Sequence, residues 1–135
     1  MTPAKEKYYR CLFTLAALYD LLLGLTFALF PIKAYAALLI ADQLPAFRGY
    51  VRLLGAFVLI LGIAYALISR GNLRSNADLI LVGTLFKLAY AVLAVYYLAT
   101  NGLPHIIFGL FGLVDAIFFL LMAECWLCLR RESKP

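Results

Sequence analysis

Three ionisable residues stand where a charge is least welcome. Asp20, Lys87 and Asp115 each interrupt a different long apolar stretch, within about two residues of its midpoint. A charge at bilayer mid-depth is unfavourable by ~2.5–3.5 kcal/mol on insertion scales unless it meets a partner or water. Two carboxylates and one ammonium at a common depth are therefore expected to form one buried cluster, with Lys87 between the aspartates. Such a cluster could hold a ligand's amine or hydroxyl, pass a proton, or simply tie helices together. One lysine cannot neutralise both carboxylates, so the three should titrate as a coupled set. Tyr90 and Phe119, a helical turn from Lys87 and Asp115, supply aromatic walls.

The elements that must carry these residues follow from composition. The chain has 135 residues, of which 66% are hydrophobic and 14% charged, whereas soluble domains run near ~45–50% and ~25%. The excess must face lipid. Four stretches, 11–30, 50–69, 77–100 and 104–129, each reach the ~20 residues that a helix needs to cross the hydrocarbon. Unpaired backbone is not tolerated there, and segments this long do not read as a closed barrel. The expected fold is all-α: a single integral membrane domain over 1–135, built as a four-transmembrane-helix bundle. The first stretch is read as a retained helix. It is too long for a secretory h-region, Asp20 interrupts it, and Phe30-Pro31-Ile32-Lys33 offers no small-residue cleavage site.

The connections differ in kind. Residues 70–76 make a short polar turn in which Gly71 and Asn72 suit a helix end, Ser75 or Asn76 a cap, and Asp78 the first turn of the next helix. Asn101-Gly102-Leu103-Pro104 is tight, with proline near the start of the last helix. Residues 31–45 are too apolar for a solvated loop and too few to cross again. A short amphipathic interfacial helix over 34–44 is expected there, lying in the outer interface or lidding the bundle.

Helical spacing gives each span one stripe. These are Phe13, Ala17, Asp20, Gly24 and Phe27; Arg52, Gly55, Leu59, Gly62 and Ala66; Gly83, Lys87, Tyr90, Ala94 and Tyr97; and Phe108, Gly112, Asp115, Phe119 and Met122. Every stripe contains a glycine, which lets membrane helices approach closely. The candidate site is therefore Asp20, Lys87, Asp115, Tyr90, Arg52 and Tyr65. Arg52 either snorkels to the headgroups or forms the upper wall of a pocket. Tyr65 and Tyr90 lie deep enough to need hydrogen bonds across helices, whereas Tyr8, Tyr9 and Trp126 at one end and Tyr35, Tyr50, Tyr96 and Tyr97 at the other read as interfacial belts.

Other chemistry finds little support. His105 is the only histidine and reads as an interfacial residue. Cys125 and Cys128 have a CxxC spacing but end a helix, where thioredoxin-type activation wants them opening one. With Cys11 they make three ligands rather than the four of a structural zinc site. No phosphate loop, dinucleotide fingerprint or metalloprotease motif occurs. No metal or cofactor is expected, and no nucleic-acid partner, because there is no basic domain to bind one.

Basic residues set the orientation. Lys5, Lys7, Arg10, Arg70, Arg74, Arg130, Arg131 and Lys134 fall at one end of the bundle, against Lys33, Arg48 and Arg52 at the other. The positive-inside bias places both termini in the cytoplasm.

The order of Tyr19-Asp20, Gly24, Phe30-Pro31, a semi-apolar outer loop, Arg52-Leu53-Leu54-Gly55, Gly62-Ile63-Ala64-Tyr65, Gly83, Lys87 and Asp115 resembles the DoxX-like group of small four-helix bacterial membrane proteins. The likeness spans nearly the whole chain through short hydrophobic elements. It implies a bacterial inner-membrane location and an accessory role in a membrane complex. A sterol-isomerase-like four-helix family shares intramembrane acids, but its fuller acidic and tryptophan-containing pattern is not found here. The leading expectation is a non-enzymatic protein that binds a hydrophobic or amphipathic small molecule, or a membrane partner such as a second copy or a larger complex, among membrane lipids. A small proton-coupled transporter, and an isomerase-like enzyme using Asp20 or Asp115 as acid or base, are the alternatives. For the orientation, a membrane-impermeant thiol reagent added outside sealed cells should leave Cys128 unlabelled; labelling there would reverse it.

Overall fold

Thr2 starts the first helix earlier than its apolar stretch suggests. Its Oγ1 accepts from the Lys5 N–H at 3.4 Å, Pro3 occupies the first turn, and Glu6 pairs with Arg10 at 2.9 Å. These polar turns extend helix α1 to Pro3–Leu29 rather than 11–30. The computed structural model describes residues 1–132, so Lys134, counted above among the basic residues, lies outside the described residues. Proline at 31 disfavours helical backbone at Phe30 (φ −127°, ψ 50°) and ends α1 there. It also opens the seven-residue helix α2, Pro31–Ala37.

The expected single helix over 34–44 is corrected here. Helix α2 begins three residues earlier and stops at Ala37, and only a 3-10 turn, Ala41–Gln43, follows. Leu39 takes a left-handed φ of 60°, which lets Ile40 N–H reach the Tyr35 carbonyl at 2.9 Å and closes the helix end. A left-handed leucine costs roughly 1–2 kcal/mol; full burial of the adjacent Ile40 side chain offsets it.

Helices α3 (Gly49–Arg70), α4 (Ala77–Ala99) and α5 (Ile106–Glu132) complete an all-helical chain without strands among the described residues. With α1, these are four helices long and apolar enough to cross a membrane. At 1.5 Å per residue, α1 and α5 reach roughly 40 Å, more than the hydrocarbon thickness. In the second turn Gly71 and Asn76 take the expected cap positions and Asp78 the first turn of α4, but the Asn76 side chain makes no cap bond. Asn72 Oδ1, not Ser75 or Asn76, accepts from the Arg74 and Ser75 amides, while the Asn76 side chain donates to the Asn72 carbonyl. His105 Nδ1 accepts from Ile107 N–H at 3.2 Å and so helps start α5.

The bundle is two helix pairs. Helix α1 packs chiefly on α3 and α4 on α5, with far fewer contacts between pairs. Glycines explain the intimacy. A Cβ on Gly24 would strike the Leu59 backbone, one on Gly62 would meet Leu21 N at 2.7 Å, and one on Gly112 would collide with the Ala94 methyl. Between the pairs, a large core of Phe13, Ala17, Tyr65, Ile68, Ile80 and Met122 fills the basic end, and a small one around Tyr35, Ile40 and Val51 roofs the other. Outward faces carry leucine, isoleucine, valine and phenylalanine, as lipid contact requires.

Gly55→Ala should destabilise the bundle by about 1–3 kcal/mol, because its Cβ would lie 2.5 Å from Ala28 N and 2.9 Å from Gly24 O. Gly109→Ala should be neutral or gain up to ~1 kcal/mol, since it meets only a Leu103 methyl at 3.2 Å. Unfolding titrations in bicelles would separate the two; equal midpoints would refute the backbone-contact account.

Candidate functional site

Gly62 fixes the first site residue. Its missing side chain brings α3 against the Asp20–Leu21 backbone, where a Cβ would stand 3.1 Å from Asp20 C. Asp20 therefore projects from a rigid turn towards the other helix pair. On α4, Gly83 carries the Tyr65 ring on its surface, and Tyr65 donates its hydroxyl to the Gly83 carbonyl at 2.8 Å. Lys87 follows one turn later. On α5, Gly112 seats the helix on α4 one turn from Asp115.

These turns converge on one nitrogen. Lys87 Nζ donates to Asp20 Oδ1 at 2.7 Å and to Asp115 Oδ1 at 3.0 Å. The first bond joins the two helix pairs and the second lies within one pair. Three rings surround the ammonium, with centroids 5.0 Å (Tyr19), 5.6 Å (Phe118) and 5.8 Å (Tyr65) away. Cation–π attraction at such distances contributes ~0.5–2 kcal/mol each, more when water is excluded. Side-chain exposure is 3% for Lys87, 2% for Asp20 and 12% for Asp115. Asp20 Oδ2 is buried without a hydrogen-bond partner among the described residues.

A cavity of about 180 Å³ adjoins the cluster, lined by residues of all four long helices and by Tyr35 of α2. Asp20, Lys87 and Asp115 are its charged lining; the remainder is apolar or aromatic, including Tyr19, Phe27, Tyr90 and Phe111. It is not sealed. Phe27, Val51 and Phe108 belong both to its walls and to the small roof core. The cluster is thus the floor, roughly 14 Å below the outer end of α1, and α2 is the lid.

The candidates fare differently. Asp20, Lys87 and Asp115 are brought together, and Tyr90 lines the cavity, its hydroxyl donating to the Phe108 carbonyl at 3.4 Å. Tyr65 supports Lys87 from beneath without lining the cavity. Arg52 does not join them. It is exposed, and Val51 beside it supplies the wall. Tyr19 and Phe118 were missed as site residues. Spacing of three rather than four from Asp115 points to Phe118, and Tyr19 packs on that ring at 5.8 Å. Cys125 is buried in the large core, Cys128 half-buried and Cys11 exposed, all three as free thiols. Among the described residues no three His, Cys, Asp or Glu side chains gather as a metal site.

Comparison with protein-family models, curated proteins and solved structures finds no match to this chain.

Lys87→Met would strand two carboxylates, and removal of one partner from a buried pair typically destabilises by ~3–5 kcal/mol. Adding Asp20→Asn and Asp115→Asn should recover most of that loss. Thermal and chemical unfolding in nanodiscs would test this, and a Lys87→Met protein as stable as the parent would show the ion pairs to be energetically idle.

Proposed function

We propose that the chain is a multi-pass protein of a bacterial inner membrane, with both termini cytoplasmic, that binds an amphipathic small molecule in the cavity between its helix pairs. The polar end of the ligand rests on the Asp20–Lys87–Asp115 floor and the apolar body lies among the rings below α2. One observation carries this reading: a buried carboxylate oxygen, Asp20 Oδ2, without a partner among the described residues, on a residue that lines a mostly apolar cavity. An unsatisfied buried acceptor costs ~1–3 kcal/mol, more when charged, and apolar packing between the pairs, as in the large core at the basic end, gives adhesion without that cost. A volume of about 180 Å³ exceeds the ~150 Å³ that accommodates benzene in an engineered protein cavity. A longer ligand would extend through the open side.

Basic residues at one end of the described bundle support the orientation. Arg10 reaches the Ser69 carbonyl at 2.8 Å and Arg74 reaches Glu132 at 2.6 Å, so the starts of α1 and α4 and the ends of α3 and α5 share that end. The resemblance to DoxX-like proteins adds service as an accessory subunit, with the ligand held for a partner. The sparse contacts between pairs favour a second reading, a small proton-coupled carrier in which the pairs part at the cluster. Ligand flux across sealed vesicles would select the carrier.

Polymer extraction without detergent, followed by small-molecule mass spectrometry, tests the binding proposal. The parent protein should carry a co-purifying amphipath that is depleted at least about tenfold in Val58→Phe, which narrows the cavity from α3 and leaves the three charged residues themselves unchanged. Identical small-molecule profiles from two equally stable proteins would defeat it.

A further inference from the structure

Granting a ligand in this cavity, which rests on the reading above, the charges that face it restrict its chemistry. With both aspartates ionised, two carboxylates and one ammonium carry a formal charge of −1, and Lys87 is the sole basic residue in the described lining. An anionic ligand would add to that charge in a poorly solvated place. A neutral one would leave it uncompensated. A cation answers that charge, and the carboxylates offer it acceptors in a place with little water to compete.

The two aspartates are not equivalent. Asp20 makes the shorter bond to Lys87, 2.7 Å against 3.0 Å, and its side chain is 2% exposed against 12% for Asp115. Asp20 is therefore the fixed partner that joins the helix pairs, and Asp115 is the carboxylate that a visitor meets. Lys87 already occupies Oδ1 of each acid. An incoming ammonium that takes the remaining oxygen of Asp115 makes an alternating set of two cations and two anions, so its repulsion with Lys87 is screened. Rings such as Tyr19, Tyr90 and Phe111 suit an organic cation.

We infer that the cavity takes a lipophilic amine, with its protonated nitrogen on Asp115 and its hydrocarbon body among the aromatic rings. The volume fits a single ring on a short chain, or the amine end of a longer amphipath.

The test uses three probes of matched shape: 3-phenylpropylamine, 3-phenylpropan-1-ol and 3-phenylpropanoate. Binding to the full chain in phosphatidylcholine nanodiscs would be measured by calorimetry at neutral pH, with empty nanodiscs subtracted. The amine should bind at least about tenfold more tightly than the alcohol, and the carboxylate should not bind. In folded Asp115→Asn the amine-to-alcohol ratio should fall to about one, and in Val58→Phe amine binding should be lost whether or not Asp115→Asn folds. Alcohol binding equal to that of the amine would overturn the cationic class and leave the cavity a ligand site. An undiminished amine preference in Asp115→Asn would overturn the assignment to Asp115. If none of the three binds folded parent protein, this inference and the ligand-site reading both fall.

Discussion

A lysine ammonium only 3% exposed between membrane helices must find its partners in the protein, and the arrangement of this chain follows from satisfying it. Helix α4 delivers Lys87, α1 and α5 each deliver a carboxylate, and α3 supplies Tyr65 and the glycines that seat α1. All four spans are thereby committed at one level. The geometry tolerates little slippage. A one-residue rotation of α1 or α5 swings its aspartate by about 100° and leaves a charge in hydrocarbon. A buried ion pair is nonetheless weak evidence for stability, since well-packed apolar residues often serve as well or better. The cluster specifies register, and that makes it a costly device unless it also has work to do.

Rigidity is distributed unevenly around that level. Towards the basic end, Tyr9 donates to Glu124 at 3.0 Å, Arg74 pairs with Glu132, and the large apolar core closes the space between helices. The short turn from α3 to α4 lies there too and is the only direct covalent link between the two pairs. Towards the other end, the pairs meet through the small cluster of Tyr35, Ile40 and Val51 against Ile107 and Phe108. A cavity opens where packing is thinnest. Its polar floor and apolar walls are the two halves of one arrangement, because the same glycine contacts that draw helices together within each pair leave the seam between pairs unfilled.

Much of this was legible in the sequence, for a physical reason. Equal depth of opposite charges in separate spans is a constraint that few arrangements satisfy, so the sequence alone joins Asp20, Lys87 and Asp115. Four spans and an all-α bundle follow from hydropathy alone. Helix limits were less legible, because Thr2, Pro3 and the Glu6–Arg10 pair extend α1 through polar turns to which an apolar count is blind. Periodicity left Arg52 between a snorkelling role and the pocket wall, and the structure leaves it exposed, off the wall. The α3 face that carries Gly55 and Gly62 packs on α1, and the cavity takes the neighbouring strip through Val51, Leu54 and Val58. On α5 the choice between spacings of three and four decided between Phe118 and Phe119, and only packing against Tyr19 resolves it. The stop of α2 at a left-handed leucine has no sequence signal, since glycine or asparagine ordinarily marks such a cap.

The inequality of the two carboxylates ties the fold to its proposed work. Were Asp20 and Asp115 equally buried and equally close to Lys87, a ligand could as readily compete for the bond that joins the pairs at this level. Here the tighter and more buried contact spans the seam, whereas the longer and more accessible one lies within the α4–α5 pair, whose cohesion already rests on Gly112 against Ala94. Lys87 can loosen its hold on Asp115 without unfastening α1 from α4. A visitor that competes for Asp115 thus perturbs the bond within a pair, and the bond across the seam keeps the floor in place beneath it. That division lets one charged cluster fix helix register and still offer a carboxylate to a ligand.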